Sequence, residues 1–404
     1  MKIYSKKNVL DAAYERINYL FDEFENVVIG FSGGKDSTTV LNLALKVAEE
    51  KNRLPLSVLW IDQEAEWQGT VDYAKKIFQD KRIKPYWFQM PMVITNNASL
   101  YHRFSYCWNE KEKDKWIHPQ DEMSLKENKY GTERFHNLFE KIFAVEFKNQ
   151  KSCYLAGVRT EESPKRFVSL TNVAAYKWIT WGKVLNKKYE HYTFYPIYDW
   201  SYTDVWKYIN ENGIEYNKVY DRMYQHGITV QNMRISNLHH ETSIQSLLLV
   251  QEIEPQTWNK IVDRIDGASS IKHIKLNSFT CPKELPYMFA DWEEYAYYLA
   301  ENIIQEDKYR KQLFSKIEAK KGIYIGDNIK LKFWKTIINT ILSSDFDFTK
   351  IANFEIRPES YCYRRYRKGD IDKDILNPKY IKVFTEEEIN DIKQKIYGTD
   401  KAIN

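Results

Sequence analysis

Cysteine is scarce in this 404-residue sequence, and its four occurrences lie far apart without any C-x-x-C pair. This spacing argues against a zinc ribbon, a redox dithiol and a clustered iron–sulfur signature, so we expect no iron–sulfur cluster. Isolated thiols of this kind are typical of a reducing compartment. The four residues are Cys107, Cys153, Cys281 and Cys362.

Long apolar runs and a strong net charge are also missing. No stretch approaches the ~18 apolar residues of a membrane-spanning helix, and the N-terminal apolar pattern is that of an amphipathic helix, not of a signal peptide. We therefore expect a cytoplasmic protein without a membrane partner. The formal charge of +4 arises from 60 basic and 56 acidic side chains. Global charge therefore does not indicate a nucleic-acid-binding protein.

Short apolar runs alternate with amphipathic helical patterns in the first half of the chain. This order predicts an α/β fold with a doubly wound, mostly parallel, Rossmann-like sheet. Residues 91–135 interrupt the alternation and are interpreted as an insertion. Beyond residue 240 only helical periodicity remains, so we predict a nucleotide-binding domain at 1–235 and a mostly helical C-terminal domain at 236–404. The predicted strands lie near 27–31, 56–61, 85–90, 152–158 and 193–198.

The segment Ser32–Ser37, S-G-G-K-D-S, follows the first predicted strand and precedes a helix. A strand, glycine turn and helix start direct backbone N–H groups and the positive end of the helix dipole at one spot, which suits an anion. The spacing between Gly30 and Gly34 is too short for a Walker loop, and the G-x-G-x-x-G fingerprint is absent. We predict a phosphate-binding loop; the alternative is a tight turn without a ligand.

The S-G-G-x-D-S motif resembles the pyrophosphate loop (PP-loop) of the adenine-nucleotide α-hydrolase-like superfamily. Later motifs follow in the order of its phosphoadenosine-phosphosulfate (PAPS) reductase family. They are G-V-R-T-E-E-S-P-K-R from residue 157, P-I-Y-D-W from 196, D-V-W from 204 and Y-N from 216. This resemblance covers residues 27–221 and implies a PP-loop-type fold that binds an adenine nucleotide.

A second resemblance extends over nearly the whole chain. D-Q-E-A-E from residue 62, the aromatic stretch 108–118, M-R-I from 233 and E-P-x-x-W from 254 resemble a longer PAPS-reductase-related subgroup. Its type member, the immunoglobulin-binding regulator protein A, is encoded beside a ParB-like partner. This resemblance implies a ParB-like protein partner but says little about the reaction that the protein catalyses.

The family resemblance implies that ATP or PAPS binds to the loop and to the segment around Arg159. Guanidinium groups match phosphate oxygens with forked donors, and Lys35 adds a point charge. Glu162 either touches the ligand or orients Arg159; the alternative for both arginines is a solvated loop. The predicted catalytic residues are Lys35, Asp36, Arg159 and Arg166. The predicted nucleotide-binding residues are Ser32, Gly33, Gly34, Lys35, Asp36, Ser37, Asp62, Arg159, Glu162, Ser163 and Arg166.

Acidic residues near the loop raise the question of a metal. Asp36 either complements the helix dipole or recruits Mg²⁺ to a triphosphate, and we expect Mg²⁺ there. Asp62, Glu64 and Glu66 would share one face of an extended strand and hold a metal or the ribose; a polar strand exit is the alternative. The histidines at 239–240 point apart when adjacent and predict a polar surface or pocket rim rather than a metal site.

The thiol chemistry of the resembled reductases is missing. Those enzymes use a cysteine on an E-C-G-x-H-type tail, which this sequence lacks, and Cys153 lies in a predicted core strand. The sequence therefore predicts an ATP pyrophosphatase-type enzyme that adenylates an acceptor in sulfur metabolism or nucleic-acid modification. The alternatives are a catalytically inactive nucleotide-sensing regulator and, as a minor one, a PAPS reductase with an external thiol.

Residues 361–368 alternate tyrosines with arginines and a lysine around Cys362. Such a segment can stack on bases and contact phosphates, so nucleic acid is a predicted partner here. A solvated helix or loop face is the alternative.

Overall fold

The computed structural model describes residues 6–96, 98–99, 102–235, 238, 244–273 and 280–398. The chain forms two compact units: the first comprises Met1–Ala98 and Phe104–Ile271, and the second comprises Ser99–Arg103 and Lys272–Asn404. None of the helices in these described ranges is long and apolar enough to cross a membrane. The histidine pair at 239–240 lies outside the described residues.

A six-stranded sheet organises the first unit, in the order β3-β2-β1-β6-β8-β7. All neighbouring pairs are parallel except β7 and β8, which run antiparallel at one edge. The predicted doubly wound, mostly parallel sheet is therefore confirmed. Its strands are β1 (Asn26–Gly30), β2 (Leu56–Ile61), β3 (Ile83–Phe88), β6 (Ser152–Leu155), β7 (Gly182–Asn186) and β8 (His191–Phe194).

Both faces of the sheet are buried, as the side chains of β1 demonstrate. Val27 and Ile29 point into one apolar core, whereas Val28 points into the other. Successive strand residues face opposite sides, so a strand with two covered faces is apolar throughout. The covering helices of this unit are α1 (Val9–Glu23), α2 (Lys35–Glu50), α3 (Gln68–Phe78), α4 (Phe135–Glu146), α5 (Pro164–Thr171), α6 (Tyr202–Glu211) and α7 (Val219–Gln225).

The predicted insertion at 91–135 contains a small antiparallel sheet of β4 (Met92–Thr95) and β5 (Phe104–Cys107). Its aromatic residues are core-forming, because Trp108 is buried against Trp116 with ring centroids 5.3 Å apart. These short strands escaped prediction because their apolar residues are too few to produce a clear period-2 pattern.

Two helices beyond residue 235 pack within the first unit: α8 (Ile244–Ile253) and α9 (Pro255–Arg264). The Glu254 carboxylate accepts hydrogen bonds from the backbone amides of Gln68 (2.8 Å) and Gly69 (3.1 Å) at the start of α3. The compact units divide after Ile271, whereas the sequence prediction places the domain boundary at residue 235.

The described residues of the second unit form helices joined by loops, with no strand among them, and this agrees with the predicted mostly helical C-terminal region. Its core surrounds α12, whose Phe333, Ile337 and Ile341 are buried at near-helical spacing. The helices are α10 (Trp292–Ile303), α11 (Asp307–Lys321), α12 (Asp327–Leu342), α13 (Thr349–Ile356), α14 (Pro358–Arg367), α15 (Pro378–Ile381) and α16 (Glu386–Tyr397).

Candidate nucleotide site

The loop Ser32–Ser37 connects the end of β1 to the start of α2. Gly33 adopts φ +70°, a conformation that favours glycine, and an added Cβ would lie 2.7 Å from Cγ2 of Thr70. The Ser37 hydroxyl donates to the Gly34 carbonyl oxygen at 2.9 Å and accepts from the Ser32 amide at 3.3 Å. These bonds hold the loop in a tight turn over the helix start.

The start of α2 presents backbone donors to its surroundings. Gly34 is the N-cap residue and supplies no side-chain cap. The Lys35 amide donates to the hydroxyl of Tyr220 at 3.1 Å, while the amides of Gly34 and Asp36 have no acceptor among the described residues. Unpaired amides at a helix N-terminus are donors for an anion.

The segment that follows β6 approaches this helix start closely at Gly157. A Cβ at position 157 would lie 2.6 Å from the backbone carbonyl carbon of Asp36 and 2.8 Å from the amide nitrogen of Ser37. Only glycine permits this approach without displacing the backbone. The contact brings the arginine-bearing segment against the loop.

The loop and this segment line one cavity of about 410 Å³. It lies at the carboxyl ends of β1 and β6, which are neighbours in the sheet. The chain leads from β1 to β2 on one side of this pair and from β6 to β7 and β8 on the other, and ligands bind at such a point in doubly wound sheets. Most predicted nucleotide-binding residues line it, but Gly33, Asp62 and Ser163 do not. Those that do are Ser32, Gly34, Lys35, Asp36, Ser37, Arg159, Glu162 and Arg166.

Arg159 lines this cavity, is buried, and forms short ion pairs with two carboxylates. Its Nε lies 2.6 Å from Asp36 Oδ1, and its Nη1 lies 2.6 Å from Glu161 Oε2. Glu162, which the sequence analysis considered as the orienting acid, is 3.9 Å from Arg159. Asp36 and Glu161 therefore hold the guanidinium group, and Asp36 also lies 3.1 Å from Nζ of Lys35.

Arg166 also lines the cavity, and its Nη1 pairs with Glu162. Burial lowers the pKa of Arg166, and the like charge of Arg234 lowers it further. Arg234 also lines the cavity and forms no ion pair with any residue in the described ranges. The lining thus holds four cationic side chains and two carboxylates, and this excess of positive charge favours an anionic ligand.

Sequence reasoning missed several lining residues, listed here: Tyr154, Tyr220, Gln231 and Arg234. The M-R-I triplet from residue 233 carried a signal for Arg234, but only as a family resemblance. Tyrosines in apolar helical patterns predict core packing, so nothing in the sequence distinguishes Tyr220 from a core residue. Ser163 instead caps α5, accepting a hydrogen bond from the Arg166 amide at 3.2 Å.

Asp62 belongs to a separate buried cluster after β2. Its carboxylate accepts from Trp87 Nε1 (3.1 Å) and Gln89 Nε2 (2.8 Å), and Nε2 of His118 lies 3.4 Å away. Burial lowers the pKa of His118, but the charge of Asp62 and hydrogen bonding to it raise the pKa above its ordinary value overall. Burial, reinforced by Asp62, raises the pKa of Glu66 well above its ordinary value.

The acidic residues 62–66 do not form the shared strand face considered from the sequence. β2 ends at Ile61, and Glu64 has φ +67°, so the alternation of an extended chain is lost. Glu64 instead accepts from the Trp108 amide at 2.7 Å and pairs with Arg264 at 2.6 Å.

The described side chains at the loop are not arranged to bind a metal ion by themselves. Both oxygens of Asp36 contact cations, Arg159 through one and Lys35 through the other. Within the described ranges no group of three or more His, Cys, Asp or Glu side chains is arranged to hold a metal ion. The Mg²⁺ role of Asp36 stays a prediction.

None of the four cysteines is among the described residues that line the loop cavity. Cys153 is buried in β6, as predicted, and burial raises its pKa; burial likewise raises the pKa of Cys107 and Cys362. Cys281 is half-buried, and burial raises its pKa to about 11. A raised pKa disfavours the thiolate that reduction of a phosphosulfate requires.

Residues 361–368 lie on α14 and just beyond it. Several of their side chains are buried or form ion pairs within the protein. Tyr363 and Cys362 are buried, and Arg365 forms ion pairs with Asp370 and Asp372. Tyr361 keeps 53% of its surface exposed. The nucleic-acid role of this segment stays a prediction.

Comparison with known proteins identifies the sheet unit. Residues 26–226 match the model of the phosphoadenosine phosphosulfate reductase domain, and residues 227–360 match a domain of unknown function, DUF3440. Residues 26–226 form a PAPS reductase-like domain of the PP-loop superfamily. This is a nucleotide-binding family, as the sequence motifs predicted.

Two curated relatives illustrate the range of similarity. The uncharacterized protein YbdN of Escherichia coli is 28% identical over 386 residues, covering 89% of this chain and 94% of that protein. Sulfate adenylyltransferase subunit 2 of Shewanella pealeana is 26% identical over 201 residues, covering 49% of this chain and 61% of that protein. Among solved structures, the PAPS reductase of Candida auris aligns with 15% identity and a TM-score of 0.31, covering 59% of this chain and 98% of that one.

Proposed function

We propose that the PP-loop domain binds ATP in the loop cavity and transfers its adenylyl group to an acceptor. The observation that carries this proposal is the convergence of Ser32–Ser37, Arg159 and Arg166 on one cavity with a net positive lining. In the reaction, a nucleophilic atom of the acceptor forms a bond to the α-phosphorus while the bond to the bridging α,β-oxygen breaks. Pyrophosphate leaves with the electron pair of that broken bond.

The roles of the residues follow from charge and position. The unpaired amides of Gly34 and Asp36 would bind phosphate oxygens, and Lys35, Arg159 and Arg166 would offset the negative charge that accumulates as pyrophosphate departs. Asp36 would position Arg159 through their ion pair. Such catalysis depends on orientation and electrostatics and requires no nucleophile from the protein.

The experiment measures binding and products separately. Calorimetry of ATP and of PAPS with the full chain tests the site, and mass spectrometry of nucleotides after incubation with magnesium and ATP tests the chemistry. We expect ATP binding and, in the presence of an acceptor-containing cell extract, pyrophosphate release together with an adenylylated acceptor. Free AMP forms when water or a second nucleophile then displaces AMP from that acceptor. Absence of binding of either nucleotide to folded protein would contradict the proposal.

A second candidate is a nucleotide-sensing regulator without turnover. The ion pairs of Arg159 with Glu161 and of Arg166 with Glu162 favour it, because cations already neutralised provide less charge for a reacting phosphate. Its ParB-like or nucleic-acid partners stay predictions. Tight binding without AMP would support this candidate, whereas AMP above background excludes it. A reductase with an external thiol would instead release sulfite from PAPS.

A further inference from the structure

A second cavity of about 340 Å³ in the first unit adjoins the loop cavity and shares Tyr220 and Met233 with it. Its volume falls in the range of about 300–1,000 Å³ that small-molecule sites occupy. The adenylyl-transfer proposal above assigns no role to this space. Four of the residues that line it carry large aromatic rings: Tyr202, Trp206, Tyr220 and Tyr224.

The four rings come from two helices at helical spacing. Tyr202 and Trp206 are four residues apart on α6, and Tyr220 and Tyr224 are four residues apart on α7, so each pair occupies one helix face. The rings of Trp206 and Tyr220 meet edge to face, with centroids 5.3 Å apart at 89°. Tyr224 lines the cavity yet keeps 67% of its surface exposed. An exposed ring at a cavity wall is available to stack on a flat ligand.

One wall of the cavity carries a carboxylate. Asp221 accepts a hydrogen bond from the Tyr216 hydroxyl at 2.7 Å through Oδ1, and its Oδ2 lies 3.4 Å from Lys218 Nζ. A carboxylate offers about four acceptor positions, so these two neighbours leave capacity for a further donor. A flat ring that carries an amino group fits a cavity with aromatic walls and this acceptor.

We propose that this second cavity holds the base of a nucleoside-containing acceptor, stacked on the α6 and α7 rings with a base amino group donating to Asp221. Bases stack on aromatic side chains through their π faces, and a carboxylate accepts from an exocyclic amino group such as that of cytosine. Tyr220 joins the two spaces, because its ring lines both cavities and its hydroxyl accepts from the Lys35 amide. The role of this base as an acceptor rests on the proposed adenylyl transfer.

The test uses free nucleosides and the full-length chain. Saturation-transfer NMR and equilibrium dialysis measure binding of cytidine, guanosine, uridine and ribose, with and without saturating ATP. We expect cytidine and guanosine to bind more tightly than uridine, which lacks the amino group, and ribose not to bind. Tyr224→Ala should weaken cytidine binding about 5- to 150-fold, the range expected for loss of one stacking ring. Tyr287→Ala, which removes a ring that is 96% exposed, is the matched control and should bind as the wild type.

Two results would overturn the proposal: cytidine affinity unchanged by Tyr224→Ala, or competitive displacement of cytidine by ATP, which would place the base in the loop cavity. Failure of all four probes to bind would also overturn it. Calorimetry of ATP on the same samples separates the two proposals. Cytidine binding that depends on Tyr224 without ATP binding would overturn the adenylyl-transfer proposal, and with it the acceptor role of the base, but would leave the base-binding site standing. ATP binding without nucleoside binding would overturn only the base-binding site.

Discussion

Arg159 and Asp36 are 123 residues apart in the chain, yet Nε of the arginine lies 2.6 Å from Oδ1 of the aspartate. The pair connects the segment after β6 to the first turn of α2 and lies against the candidate nucleotide cavity. Its geometry makes Arg159 the most direct point at which to perturb the site.

Replacing Arg159 with alanine should weaken ATP binding at least about tenfold while the protein stays folded. A hydrogen bond to a charged group contributes roughly 1.5–3 kcal/mol, and about 1.4 kcal/mol corresponds to a factor of ten. Asp36 retains Lys35 at 3.1 Å, so its carboxylate does not become an unpaired charge. Calorimetry measures the affinity. Arg82→Ala, which removes an exposed partner of Asp80, is the control and should bind ATP normally; equal affinities for the two variants would refute this role.

Gly157→Ala should both destabilise the first unit and weaken nucleotide binding. The new Cβ would lie 2.6 Å from a backbone atom of Asp36, which cannot yield as a flexible side chain can. Overpacking of this kind costs about 1–3 kcal/mol. Denaturant unfolding and ATP calorimetry measure the two effects.

Gly322→Ala is the matched control for Gly157→Ala. It places a Cβ where no atom lies within 4 Å, at a C-cap residue with φ −71°. If the two variants had the same stability and the same ATP affinity, the close approach of Gly157 to α2 would be unimportant.

The contribution of His118 to stability should depend on pH. Its folded pKa is raised, so the stabilisation by Asp62 is fully present below the ordinary histidine pKa of 6.5 and is lost as the pH rises through the folded pKa. His118→Gln should therefore cost more at pH 6 than at pH 9, with about 3–5 kcal/mol lost at pH 6 because a buried partner is removed. Denaturant unfolding at both pH values gives the difference.

The exposed His136 supplies the control for this pH dependence. His136→Gln should change the free energy of unfolding by a few tenths of a kcal/mol at either pH, as exposed substitutions usually do. A cost of His118→Gln that is equal at pH 6 and pH 9 would mean that the ion pair does not form.

Glu254→Gln should destabilise the protein by about 1–2 kcal/mol, the range for loss of a helix cap. Trp67, the N-cap residue of α3, provides no side-chain cap, and Glu254 supplies both acceptor oxygens instead. The amide of glutamine has a single acceptor oxygen and lacks the charge that favours a helix N-terminus. Thermal unfolding measures the loss of stability. Glu252→Gln, at an exposed position on α8, is the control and should leave the stability nearly unchanged.

Much of the sheet could be predicted because most of its strands are marked by short, local patterns of apolar residues in the sequence. Val27–Phe31 is continuously apolar, and both faces of β1 are buried, so composition alone identifies a central strand. β7, an edge strand of the sheet, carries exposed Lys183 and was not predicted. Edge strands face solvent and lose the apolar signal. β8 lies inside the sheet, between β6 and β7, and was predicted, although it ends at Phe194 and the predicted strand reached residue 198.

The sequence by itself was enough to predict the PP-loop. The conformations of Gly33 and of the N-terminus of α2 depend mainly on residues that are neighbours in the chain. The tertiary structure decided which charges meet there. Asp36 and Glu161, and not Glu162, hold the Arg159 guanidinium group. Arg234 lines the cavity, whereas Asp62 lies beside His118 in a separate cluster. Adjacent carboxylates such as Glu161 and Glu162 are equivalent in the sequence. Only the path of the folded backbone separates them, because the strength of an ion pair depends on distance and burial, which no local pattern encodes.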